Sequence, residues 1–397
     1  MSGKKRGGYV GASCVCPHCG GDARFVAHRR KGFVSLLGHL ELVRSYYHCR
    51  ACGEGYFPWE RSLGLSPQRL TPGASEVVSM LGVQTSFAEA SERTLRKASG
   101  LRVSESTVER TTEGTGERLR KLLEQRVKFG ATEPWDWERD ALGRRCAYVS
   151  LDATGVRQQG EQGAAAEGRM AYVGLLYNPR GAARTLERRK ASTAHQVRYL
   201  AGFYELDALG IELRGQAGQI GWDEAEVQLA LSDGGAGLED FFRKNFPRAT
   251  VILDFWHAKE HLVELGQALF GEESPAGKEW LDARCHQLKT EGGAAVRASL
   301  EALDVSSRSD LVREVHRRET NYFRNHEHKM NYPHYLSQGW QIGSGPVESA
   351  CKTVVNNRLA GSGMRWGSPG SNAVCHLRAL FLSQRNQWET FWTDYPN

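Results

Sequence analysis

The sequence is poor in the features that mark a membrane or an exported protein. No stretch approaches the roughly 18 unbroken apolar residues of a membrane-crossing helix. Lys4, Lys5 and Arg6 are followed by no apolar run of the kind a secretory signal carries. We therefore expect a soluble, cytoplasmic protein with no membrane partner. A strong excess of one charge is lacking too: 52 Lys and Arg stand against 46 Asp and Glu, a net of +6. Its distribution is uneven. Residues 1–60 hold nine basic and four acidic side chains, residues 306–397 hold eleven and seven, and the middle holds 32 and 35. That pattern suits a polyanion gripped from two sides, and equally an ordinary solvated surface. Hydrophobic residues make up 40% of the 397, enough for about two or three cored units and too many for disorder to be the whole account.

Nine cysteines, an odd number without an export signal, argue against a disulfide framework and for reading the spacing as metal ligation. Cys16-Pro-His-Cys19 and Cys49-Arg-Ala-Cys52 are two C-x2-C knuckles, each followed by a glycine that lets the backbone turn its amides toward the sulfurs. Four thiolates at this spacing suit tetrahedral Zn2+, so residues 1–62 read as a zinc ribbon with one structural ion. A redox pair beside a chance repeat is the competing account. Cys14 is close enough in sequence to substitute as a ligand. Cys146, Cys285, Cys351 and Cys375 have no ligand spacing and read as small buried side chains.

Residues 63–130 turn helical. Ser86-Phe-Ala-Glu89 reads as a capping box, and a second helix begins near Ser104, with Ser106-Thr-Val-Glu109 as its box. The short glycine-containing turn between them resembles a helix-turn-helix. Glu105, Glu109 and Glu113 on the second helix suit phosphate contact poorly, so an ordinary two-helix packing unit is an equal reading. Gly130 to Arg145 looks like a linker.

Strand signals follow over 140–260. Ala147–Leu151 ends at Asp152, Met170–Tyr177 is apolar, Arg184–Arg189 makes an edge strand, and Ala194–Leu209 is helical. Val227–Leu231 ends near Asp233, a helix covers Leu238–Lys244, and Thr250–Leu253 ends at Asp254. In such a βββαβαβ plan, residues beyond the ends of adjacent strands meet, so Asp152 and Asp233 share one site despite their separation. Two carboxylates there repel unless hard cations neutralise them, which points to Mg2+ or Mn2+. Glu348, in Ile342-Gly-Ser-Gly-Pro-Val-Glu-Ser-Ala-Cys-Lys352, falls in the first turn of a helix that Pro346 starts, with Lys352 one turn on. Taken singly, the aspartates also fit turns and Glu348 a helix start.

The strings SLDATG, LSDGGAGLEDFF, VILDFWHAKEHL and IGSGPVESACKTVVNNRLAGSGMRW, after an N-terminal C-x2-C pair, resemble the DDE transposases of bacterial insertion sequences of the ISKra type, related to Mutator-like transposases. The resemblance implies an α/β ribonuclease H-like mixed-sheet catalytic fold with Asp152, Asp233 and Glu348 as the catalytic acids. It also implies a helical insertion over 261–338, and a final catalytic helix and tail over 339–397. Asp254-Phe-Trp-His257 matches the D-x2-H element of that group.

On this reading two ions sit in each site: Asp152 bridges them, and Asp233 and Glu348 hold one each. Water and then a freed 3′-hydroxyl attack phosphodiesters of double-stranded DNA, the element's terminal repeats and its target, with the protein as a homodimer or larger assembly. Asp254 and His257 orient the acids, and Lys352, Asn356, Arg358 and Arg365 contact DNA. Trp366 is expected in the core. The alternatives are a DNA-binding protein of the same fold that no longer cuts, and a nuclease that never joins ends. His257-Ala-Lys-Glu260-His261 also spells the H-x-x-E-H string of a metalloprotease, which leaves the three acids unexplained.

Overall fold

The computed structural model describes residues 7–65, 69–179 and 196–395. Among these residues the chain builds an α/β structure with two sheets, and no helix is long and apolar enough to cross a membrane. The first sheet joins β1 (Ser13–Val15), β2 (Asp22–Ser35), β3 (Gly38–Cys49) and β4 (Gly55–Tyr56) in chain order, antiparallel throughout. Its small core, formed by Cys16, Ala23, Tyr47 and Cys49, holds few side chains beyond the knuckles themselves.

The second sheet is mixed. It contains β5 (Cys146–Gln159), β6 (Ala165–Tyr177), β7 (Val197–Gly202), β8 (Val227–Ser232) and β9 (Thr250–Leu253), in the spatial order β7-β6-β5-β8-β9. β5, β6 and β7 pair antiparallel, while β5, β8 and β9 run parallel. Helices cover both faces, as a sheet apolar on both sides requires. Ala147, Val149 and Leu151 meet helices Leu206–Gln219 and Leu238–Asn245 on one face. The alternate residues Tyr148, Leu229 and Leu231 meet helices Phe255–Phe270 and Asp310–His326 and the segment around Val347–Leu359 on the other.

Two sequence expectations are corrected here. Val197–Gly202 is a strand, and the helix expected from Ala194 starts only at Leu206. A short run buried at nearly every position carries no period to separate helix from strand. The segment from Gly130 is no free linker: Trp135 is buried against Trp137 and Trp137 against Trp222, and the Trp135 amide donates to the Ile220 carbonyl at 3.0 Å. The expected strand Arg184–Arg189 lies outside the described residues.

Helices Pro72–Gln84, Leu95–Ala98 and Glu105–Glu124 occupy the expected helical stretch. Ser86 accepts the Glu89 amide as its box predicts, but the second cap is Ser104, which accepts from Thr107, rather than Ser106. This unit shares a core with the C-terminus: Val83, Leu119 and Leu123 pack with Leu377, Leu380, Trp388 and Phe391. Helices Glu105–Glu124 and Ser368–Leu382 touch so closely that a Cβ on Gly116 would lie 2.1 Å from the Ala373 carbonyl oxygen. Residue 261, where a helical insertion was expected to start, falls inside helix Phe255–Phe270, and the next helix is Pro275–Thr290.

Candidate functional site

Parallel register decides where the acids fall. β5 pairs with β8 as far as Ser150 with Leu231, and β8 with β9 as far as Ser232 with Leu253. Continuing both ladders brings Asp152, Asp233 and Asp254 onto one row across three neighbouring strands. Alternation sets the face: Tyr148 and Leu231 lie in the core on one side, and Asp152 and Asp233, an even number of residues further on, turn to that side as well. β5 continues to Gln159 as the partner of β6, so Asp152 lies inside a strand; it is beyond the β8 ladder that it becomes free.

The third acid arrives on a helix. Gly345–Ala350 opens with Pro346, buries Val347 and Ala350 in the same core, and carries Glu348 in its first turn. Asp152, Asp233, Asp254 and Glu348 line one cleft of about 220 Å³ with Ser344, Trp256, His257 and Glu260. Burial, with the charges of Asp233 and Glu348, holds the Asp152 carboxyl above its ordinary range, against the pull of the Ala153 amide at 2.6 Å. A cation in the cleft would relieve that repulsion, and an all-oxygen donor set suits Mg2+ or Mn2+. The donor chemistry therefore fits the expected ions, although among the described residues these carboxylates do not converge within 4.8 Å as the cysteine ligands do.

Asp254 has a different task from the other acids. It is 2% exposed and caps helix Phe255–Phe270, accepting the Trp256 and His257 amides at 3.1 and 3.2 Å and the Ser344 amide at 2.9 Å. Ser344 in turn donates its hydroxyl to Glu348 at 2.8 Å. Asp254 thus positions Glu348 through Ser344. Cys351 donates to the second Asp152 oxygen at 3.4 Å, a contact that its spacing among the cysteines did not signal. Trp256, 54% exposed at the cleft, carried no distinguishing signal in the sequence either, since Phe255 beside it is buried at 3% and only packing separates the two.

The expected DNA-contacting residues divide. Lys352 and Arg365 are exposed, and Asn356 accepts from the Thr154 hydroxyl at 3.1 Å. Arg358 cannot reach a ligand: it is 2% exposed, donates to the Gly82 carbonyl at 2.9 Å, and lies over the Phe87 and Trp366 rings. Its apolar neighbours at helical spacing, Val354, Val355 and Leu359, face the same interior. Trp366 is buried as expected and donates to the Leu359 carbonyl.

The H-x-x-E-H string does not assemble as a metal site among the described residues. His257 faces Glu260 at 3.3 Å, whereas His261 Nδ1 lies 2.6 Å from the buried Glu319 and its ring stacks on Tyr322. The His257 amide donates to Asp254 at 3.2 Å, and both residues line the acidic cleft.

The cysteine knuckles do converge. Sγ atoms of Cys16, Cys19, Cys49 and Cys52 all lie within 4.8 Å, with Cys16 to Cys52 at 3.7 Å and Cys19 to Cys49 at 3.6 Å. A tetrahedral ion with Zn–S near 2.3 Å holds its sulfurs about 3.8 Å apart, so the cluster has the dimensions of a zinc site. The two knuckles repeat one geometry: Gly20 and Gly53 both take φ +75°, and their amides donate to the Cys16 and Cys49 carbonyls. The Cys52 amide draws the Cys49 thiol down to about 7. Cys52, despite the pull of the Glu54 amide, is pushed up to about 12 by desolvation and by its sulfur neighbours. Four thiolates cannot share this space without a cation. Cys14 is no substitute ligand, since its sulfur meets the Tyr56 hydroxyl at 2.7 Å.

No protein-family model matches the sequence, and no curated protein matches it.

Proposed function

We propose that the protein is a DDE-type DNA transposase with a ribonuclease H-like catalytic domain, which cuts DNA at the ends of an insertion sequence and joins the freed 3′ ends to target DNA. The observation that carries this reading is that Asp152, Asp233 and Glu348, from a strand, a strand end and a helix start far apart in sequence, line a single cleft. A strand order in which three antiparallel strands continue into two parallel ones supports it.

Asp152, Asp233 and Glu348 would hold two Mg2+ or Mn2+ ions, which supply Lewis-acid stabilisation of the charge that develops in phosphodiester attack. The remaining work belongs to the chain. Asp254 fixes the backbone at Ser344, and Ser344 fixes Glu348. The Cys351 thiol holds one oxygen of Asp152, leaving the other toward the Ala153 amide and the cleft. Lys352 and Arg365 contact backbone phosphates, and the exposed Trp256 indole offers a surface for a base to stack on. The zinc ribbon and the helical unit bind the element ends, and a dimer or larger assembly brings two ends together.

The test is a strand-cleavage assay with end-labelled duplex carrying the element's termini, with Mg2+ and with chelator. Cleavage leaving a 3′-hydroxyl, followed by a joined product, is expected. Cleavage without joining would make the protein a nuclease, and end binding without cleavage in Mg2+ or Mn2+ would make it a DNA-binding protein of the same fold.

A further inference from the structure

A second cavity, larger than the acidic cleft, lies at the other end of the central strands. Its volume is about 530 Å³, and it forms where the end of helix Glu105–Glu124 meets helices Leu206–Gln219 and Leu238–Asn245. Gln228, the second residue of β8, lines it, whereas Asp233 follows the last residue of that strand. At about 3.3 Å per residue the two sites stand some ~17 Å apart along the strand. The groove's lining includes the buried amide side chains of Gln216, Gln228 and Asn245.

Four cations converge there from three chain segments: Arg126, Lys128, Arg214 and Arg248. All four are exposed, and none has an ion-pair partner among the described residues. Of the two carboxylates at the groove, Glu212 is taken up by the Tyr204 hydroxyl at 2.9 Å, and burial keeps its carboxyl raised to about 7. Asp223 is the other. The groove therefore has more positive charge than its own acids offset.

Arg126 adds an independent observation. It takes φ 62° just past the last turn of helix Glu105–Glu124, where its amide donates to the Leu123 carbonyl at 2.7 Å and the Val127 amide to the Leu122 carbonyl at 3.0 Å. This is the helix-closing position that glycine normally fills, because a Cβ is disfavoured there. An arginine held against that preference, with its side chain at the rim of a cationic groove, points to a use for the side chain.

We propose that this groove binds phosphate groups, and that they are the backbone phosphates of duplex DNA lying outside the acidic cleft. The choice of DNA over a free nucleotide rests on the transposase reading. The test uses the full-length protein and a labelled random-sequence duplex, with affinity measured against salt concentration. Arg214→Gln, Arg248→Gln and Arg126→Gly should each weaken binding severalfold and lower the slope of log affinity against log salt by about one.

Arg126→Gly separates binding from folding. Glycine accepts φ 62° without strain, so the thermal midpoint should hold or rise while affinity falls. Strand cleavage is read separately with Asp152→Asn: parental cleavage there would fail the catalytic reading, whereas unchanged salt slopes in the arginine variants would fail the groove. Titration with ADP forms the second arm. Loss of ADP binding in the variants with duplex affinity unchanged would overturn the assignment to DNA in favour of a free nucleotide. Unchanged duplex affinity, salt slope and ADP binding in all three variants would overturn the site.

Discussion

Glu348→Gln separates charge from shape at the cleft more cleanly than a change at either aspartate. Glu348 is exposed in the first turn of its helix and accepts the Ser344 hydroxyl at 2.8 Å. Glutamine keeps an oxygen at that place, the same length and a similar helix propensity, so stability should move by no more than about 0.5 kcal/mol. What is lost is one negative charge. If that charge holds a metal ion, several kcal/mol of transition-state stabilisation go with it; about 4 kcal/mol, at 1.36 kcal/mol per tenfold, is roughly a thousandfold in rate. End cleavage and strand transfer should fall together, while DNA binding in Ca2+ persists and tightens slightly as repulsion against phosphate is removed. The Asp152 carboxyl, held up in part by Glu348, should ionise more readily in the variant. A variant that folds, binds DNA ends and cleaves near the parental rate would remove Glu348 from the catalytic set. Asp254 is the weaker substitute, because three of its roughly four acceptor positions already take amides. Glu260, which lines the same cleft, would be the next candidate.

Three further outcomes follow from the structure. The purified protein should carry about one Zn2+ per chain, and Cys49→Ser should abolish that content and speed hydrogen exchange across residues 13–56, whose core depends on the knuckles; a metal-free protein with the same protection would refute the zinc site. Arg358→Ala should cost about 2–4 kcal/mol in denaturant unfolding, from the cavity it leaves and the unpaired Gly82 carbonyl, without a specific loss of DNA affinity in the folded fraction. His376 is buried and pushed down to about 3, so the folded protein keeps it neutral while the unfolded chain protonates it below its ordinary value near 6.5. Its contribution is therefore fully present above pH 6.5 and is lost as pH falls from 6.5 toward 3, at up to about 1.4 kcal/mol per unit; acid titration of stability should show that slope, and it should flatten in His376→Leu.

The parts of this molecule that were legible in the sequence are those with a local signal. The knuckles repeat one spacing, the Ser86 box fixes a cap with four residues, and β8 and β9 end where their aspartates stand. The parts that were not legible depend on what lies opposite. Arg358 reads as a solvent-facing cation until Gly82, 276 residues away in sequence, supplies a carbonyl and Phe87 a ring. Val197–Gly202 lacks a period because both its faces are covered. Trp135 and Trp137, set among charges, pack on each other and Trp137 on Trp222, which a reading of neighbours along the chain cannot reveal. Cys351 looks like an ordinary core thiol until register brings Asp152 beside it.

The same register explains how the cleft tolerates a long helical excursion between two of its walls. The chain leaves the sheet at Asp254 and returns at Ser344, and those two residues, 90 apart in sequence, are hydrogen-bonded directly. Two neighbouring bonds reinforce the junction: Asp254 donates its amide to Ser232 on β8, and Phe255 donates to the Ile342 carbonyl. Both ends of the excursion are thus pinned at one point of the sheet. The helices between pack onto the same core, where Leu262, Leu288, Phe323 and Tyr332 are fully buried, so they cover one face of the sheet as well as spanning the gap. Glu348 follows four residues after Ser344 on helix Gly345–Ala350, whose buried face is set by Val347 and Ala350. Its position is thus set at Asp254 and Ser344, while the helices between cover the sheet that carries Asp152 and Asp233.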